Sequence, residues 1–134
     1  MDRKIGGVTL RELLGVGILA ALLILGFLCS WYLSRQPDEM SSAMDDACWL
    51  ALSGQWKNAR DLSASTRQSW EKGWRFRAAF ADHTYLEEID GLFRELTVYA
   101  AAGEQTDFAR TCALLAEKLK ALASSACFSW WNVL

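Results

Sequence analysis

Between Leu13 and Leu33 the chain reads LLGVGILAALLILGFLCSWYL, with no charged residue. At the α-helical rise this stretch is about 30 Å long, the thickness of a bilayer's hydrocarbon core. A helix buried in a soluble core keeps a polar stripe, and this one has none. The pattern predicts a transmembrane helix over 13–33. Trp31 and Tyr32 at its end have the amphipathic rings that favour the headgroup level.

After Pro37 and Asp38 the pattern changes. Met40, Met44, Ala47, Leu50 and Ala51 recur at helical spacing, so 39–52 reads as a helix that Ser53-Gly54 ends. A second pattern starts at Gln55-Trp56 and meets no strong breaker before Gly103. Within it Leu86, Ile89, Phe93, Leu96 and Ala100 alternate steps of three and four, a narrow apolar seam. Thr84 with Glu87 makes a possible capping box, which would kink this long helix near Asp82-His83. A turn at 103–107 follows, with Thr106 or Asp107 as N-cap. Phe108, Cys112, Leu115, Leu119, Leu122 and Ala126 then form the seam of a third helix.

The fold class predicted is all-α: one N-terminal transmembrane helix, then a small extracytoplasmic domain of two antiparallel hairpins sharing one long helix, since tight turns make antiparallel neighbours. The expected organisation is a cytoplasmic N-terminus over 1–12, the span over 13–33, a linker over 34–38 and the helical domain over 39–134.

Charge supports this pairing. Residues 38–46 carry four acids and no base, and would face residues 57–77 with six bases and two acids. Residues 82–107 carry seven acids and one base, opposite Arg110, Lys118 and Lys120 of the third helix. Such runs are usually solvated faces, but opposed signs in both hairpins favour pairing. Arg3, Lys4 and Arg11 precede the span, whereas Arg35 and then Asp38, Glu39, Asp45 and Asp46 follow it. The positive-inside rule places the N-terminus in the cytoplasm and the domain outside a cell membrane, as a single-pass signal anchor. A cleaved signal peptide is the rival reading. The apolar run exceeds a typical h-region, and Ser41-Ser42-Ala43 lies too far beyond it for a cleavage site.

The chain has 134 residues, room for one domain and an anchor; its 52% apolar content is concentrated in the N-terminal block. A net charge of −2 without a basic cluster argues against nucleic-acid binding. The cysteines Cys29, Cys48, Cys112 and Cys127 form no CxxC pair, which excludes the common zinc spacings and favours free thiols over a disulfide.

Candidate chemistry is sparse. Trp70, Trp74, Phe76 and Phe80 sit midway along the expected long helix, and the third helix returns Phe128, Trp130, Trp131, Val133 and Leu134 towards them. The first reading is an aromatic core at the junction of the hairpins. The functional reading is a partner or lipid contact that includes Trp70, Trp74, Phe80, His83, Trp130, Trp131 and Asn132. His83 is the single histidine; with Asp82 and Glu87 near it in sequence it falls short of a catalytic or metal site. No GxSxG, phosphate loop or HExxH occurs. These features lead to expectations of no enzyme activity, no cofactor and no metal. The partners expected are the lipid bilayer and another membrane protein, with self-association through small-xxx-small pairs such as Gly26 and Ser30 as a further option. The alternative is a sensing or ligand-binding domain with a pocket between helices near Trp70, Trp74 and His83.

The apolar segment, the turn before Trp56, the Trp70/Trp74 spacing, Asp82-His83 followed by Ile89-Asp90, and the closing Trp131-Asn132-Val133-Leu134 together resemble the domain of unknown function 4363 family. Trp70, His83, Asp90 and Asn132 are the family-like residues. The resemblance implies a small membrane-anchored helical protein of Gram-positive, often spore-forming bacteria, and brings no catalytic role.

Overall fold

In the computed structural model, residues 9–131 are described, apart from the side chains of Leu33, Phe80 and residues 126–131. The described chain is helical and contains no strand. Its helices are α1 (Leu10–Leu52), α2 (Trp56–Lys72), α3 (Trp74–Phe80), α4 (His83–Ala102) and α5 (Gln105–Trp131).

Helix α1 joins what the sequence divides into an anchor, a linker and a first domain helix. It opens on a capping box: the Glu12 amide donates to Thr9 Oγ1 (3.4 Å) and the Thr9 amide to Glu12 Oε2 (3.0 Å). Its apolar half is long enough to cross a membrane and none of it is buried in the bundle. Residues 34–38, expected as a linker, are helical and carry Pro37 inside α1. Proline costs one intrahelical hydrogen bond, but here its ring is fully buried beside Tyr32, Gln36, Phe76 and Arg77. That burial makes Pro37 part of the packing rather than a break. Beyond it, Met40, Met44, Ala47 and Ala51 of the predicted seam are buried, and Leu50 is half-buried.

The single long helix expected after Gln55 is three helices. The chain turns at Gly73, and again at Ala81, whose extended backbone (φ −109°, ψ 158°) precedes Asp82. Asp82, not Thr84, caps α4: its Oδ1 accepts the Thr84 amide at 2.9 Å. A Cβ added at Gly73 would lie 2.5 Å from Arg77 Nη1 and 2.8 Å from its Cζ, so a side chain there would require the guanidinium to move.

The tight turns do occur where glycine predicts them. Gly54 (φ 83°) and Gly103 (φ 75°) adopt the left-handed conformation. The next amides reach back to Leu50 O (2.9 Å) and Tyr99 O (3.1 Å), the Schellman arrangement that satisfies the last carbonyls of α1 and α4.

Helix α1 packs against α2 and, most extensively, against α5; α4 packs against α5, while α2 and α4 barely touch. The α1–α5 pairing was not expected. On α5 the predicted seam is buried at Phe108, Cys112, Leu115, Leu119 and Leu122, the side chain of its last member, Ala126, lying outside what the structure describes, and a second line of Ala109, Ala116 and Ala123 is buried beside it. Small side chains let the two backbones approach, and Ser41 Oγ donates to the Ala116 carbonyl across the contact (2.8 Å). Helix α2 turns Ala59, Ser63, Thr66 and Trp70 inwards, a seam half of which is polar. Ser63 and Thr66 satisfy their hydroxyls on the carbonyls of Arg60 and Leu62, so their burial leaves no orphan.

The charge pattern is realised only in part. Lys118 pairs with Glu88 across α5 and α4 at 2.9 Å. The other ion pairs among the described residues, Arg35–Glu39, Arg67–Glu71 and Arg94–Asp90, lie within single helices. Among the described residues no ion pair joins the acids of α1 to the bases of α2.

Candidate functional site

The aromatic run Trp70–Phe80 spans the α2–α3 break. Trp70, at the end of α2, is fully buried. It meets Trp74 edge-on (6.2 Å between centroids, 67°) and Phe93 of α4 at 6.0 Å. The Arg77 guanidinium lies over its ring, 4.1 Å from the centroid, and donates to the Trp70 carbonyl and to Gln36 Oε1 (3.4 Å). A cation thus satisfies a carbonyl at the C-terminal end of α2, where the helix dipole favours positive charge.

Arg77 is 3% exposed, and no carboxylate pairs with it among the described residues. Burial lowers its pKa from 12.5 to about 10, opposed by the nearby Tyr32, so it stays charged at neutral pH. Its Nε and the Trp70 Nε1 have no hydrogen-bond partner among the described residues. The space beside Arg77 is only about 10 Å³, too small for a ligand. This junction therefore holds α2, α3 and α1 together.

His83 is exposed in the first turn of α4. No cluster of three or more metal-ligating side chains occurs among the described residues. The side chains of Phe80, Trp130 and Trp131, and Asn132 altogether, lie outside what the structure describes. Of the named candidates, Trp70 and Trp74 are brought together; His83 stands exposed at the start of α4.

Two further surfaces lie outside the candidates that the sequence suggests. At the end of the bundle remote from the apolar half of α1, Trp49 is 71% exposed and Leu52 63% exposed. A cleft of about 500 Å³ lined by Asp46, Trp49, Leu50, Ser53, Gln55 and Leu62 lies there. The signal was present: Trp49 falls off the Met40–Met44–Ala47–Ala51 seam, so the bulkiest side chain of that segment points away from the core. The second surface is the gap between α2 and α4, a cleft of about 550 Å³. Phe93 and Leu96 line it, with Arg60, Asp61, Arg67 and Gln68 along α2. Arg67 spans it to Thr97 Oγ1 at 2.5 Å, and Arg60 stacks on Trp56 (5.6 Å). Predicting that gap needs the α2–α4 separation, which no local pattern encodes.

Cys112 is buried in the α1–α5 contact, where burial and the nearby Cys48 push its thiol up to about 12; Cys48 is also raised, by burial and by Asp45. Neither is a poised nucleophile.

Fold and surfaces define an all-helical protein with one apolar N-terminal helix of membrane-spanning length and an exposed aromatic end. The family model described as Domain of unknown function (DUF4363) matches residues 27–133, and the chain belongs to that family. No curated protein and no solved structure matches it.

Proposed function

We propose that this chain is a membrane-anchored, non-enzymatic helical interaction protein, an adaptor or accessory subunit whose bundle stands outside the cell membrane. The observation that carries this reading is Trp49, 71% exposed beside Leu52 at the end of the bundle remote from the span. Tryptophan is strongly enriched among residues that dominate protein interfaces, and a rigid aromatic beside an apolar cleft suits a partner's side chain. The orientation follows from Arg3, Lys4 and Arg11 before the span and the acids after it.

A photoreactive residue at position 49, in cells that naturally make the protein, should trap a discrete membrane-protein partner. The same residue at Glu117, exposed on α5, should not. Equal, diffuse trapping at both positions would overturn the adaptor reading. For the orientation, Ser42→Cys should react with a membrane-impermeant thiol reagent in intact cells; labelling only after lysis would reverse it. A second reading is a ligand-binding domain, favoured by the α2–α4 cleft with its apolar floor and arginine rim. Filling it through Thr97→Trp would abolish binding there and leave a Trp49-centred contact intact.

A further inference from the structure

At the base of the bundle α1 passes into its apolar half without interruption. Ser41 of α1 bonds Ala116 of α5, and Trp56, just past the end of α1, meets Phe108 near the start of α5 at 4.9 Å. Residue numbers thus fall along α1 as they rise along α5, and the two helices are antiparallel. Both advance about 1.5 Å per residue. Continued to the end of α5 at Trp131, the same register brings residues 126–131 beside about residues 27–32, within the apolar stretch.

Burial on α1 agrees independently. From 10 to 28 every residue is exposed except Gly26, and the half-covered positions that follow are Cys29 and Ser30. These three continue, at helical spacing, the stripe of Pro37, Met40, Met44 and Ala47. Something in the chain covers the stripe below the bundle, and α5 is the helix that runs along it.

Helix α3 lies at the same level. Phe76 meets Tyr32 edge-on at 5.7 Å, and Arg77 bonds Gln36. Exposed Lys72 and Arg75 flank it and form no ion pair among the described residues. Trp31 and Tyr32 mark the headgroup level on α1, so these cations stand where lipid phosphates would be. The last turns of α5, with Phe128, Trp130 and Trp131 and no charged residue, extend beyond that level into the acyl region.

We propose that the last two turns of α5 form a second membrane-contact element, running down beside the α1 span into the leaflet on the bundle's side, with α3 at the headgroups. The occupant of this surface is lipid. The protein is then a span with a short helical wedge beside it, reaching about 8 Å below the headgroup level at ~1.5 Å per residue, and the bundle is seated on the bilayer at a fixed height. That would hold the Trp49 end at a constant distance from the membrane. The inference rests on the reading that the apolar half of α1 spans the membrane.

The test uses the full chain in vesicles of phosphatidylcholine and phosphatidylglycerol, with a diazirine that partitions into the acyl region and mass-spectrometric mapping of its adducts. Expected are adducts over 13–33 and also in 126–131, with none in 56–69 or 86–102. Adducts over 13–33 without any in 126–131 would overturn the proposal and leave the span standing. If protection of 126–131 came with disulfide-linked dimers of Ser30→Cys, a second copy of the chain would be the occupant instead. An unlabelled 13–33 segment would remove the span and this inference with it.

Discussion

Leu96 and Leu119 make a controlled comparison, because both are buried (2% and 0% exposed) but only Leu96 borders the cleft between α2 and α4. Truncating either leucine to alanine loses the transfer free energy of its apolar carbons, about 2.4 kcal/mol at ~0.8 kcal/mol per buried carbon. The second contribution depends on what happens to the space. At Leu119, inside the core shared by α5 and its neighbours, an unfilled volume on the order of 60 Å³ adds about 1.5 kcal/mol at ~24 cal/mol per Å³. At Leu96 the vacated space merges with the open cleft it borders, so this second contribution largely vanishes. The expected costs are about 2.5 kcal/mol for Leu96→Ala and about 4 kcal/mol for Leu119→Ala. Urea unfolding of the full chain in detergent micelles, followed by tryptophan emission, measures both, provided the slope against urea stays constant. A Leu96→Ala cost equal to or above that of Leu119→Ala would refute the reasoning: α2 and α4 would then close over Leu96, with no cleft between them.

Other outcomes follow from the same geometry. Gly73→Ala should destabilise by about 1–3 kcal/mol in the same assay, because its Cβ meets an Arg77 guanidinium that is itself pinned on Trp70. Gly103→Ala should cost about 1–2 kcal/mol, since its φ of 75° forces alanine into the left-handed region. Trp49→Ala should change stability by no more than about 0.5 kcal/mol, because the side chain is mostly in water, while partner recovery from membranes falls. Cys112 has its thiol raised from 9.0 to about 12, so above pH 9 the unfolded chain releases a proton that the folded chain retains. Stability should therefore fall between pH 9 and 12, and the fall should be smaller in Cys112→Ala, read from urea midpoints at pH 8 and pH 10.

The features legible in the sequence were those set by neighbours along the chain. The uncharged run at 13–33, the seams Leu86–Ile89–Phe93–Leu96 and Phe108–Cys112–Leu115–Leu119, and the left-handed turns at Gly54 and Gly103 all follow from helical periodicity or from steric limits at one residue. The family resemblance rested on the same local signals. Pairing between distant helices was decided elsewhere. Ala109, Ala116 and Ala123 recur every seven residues and so share one face, but alanine serves as helix former and as filler alike; that face becomes an interface only when the Ser41 face of α1 lies against it. Pro37 reads as a stop, yet it stays helical because the ring is buried against Tyr32, Gln36, Phe76 and Arg77 and that contact offsets one lost hydrogen bond. Arg77 reads as one base in a charged run, yet the fold buries it over Trp70, where its bond to a helix-end carbonyl fixes the break that Gly73 permits. Trp49 could have been recognised from its phase on the helix, whereas the α2–α4 cleft could not, because an opening between helices is a property of their separation in space.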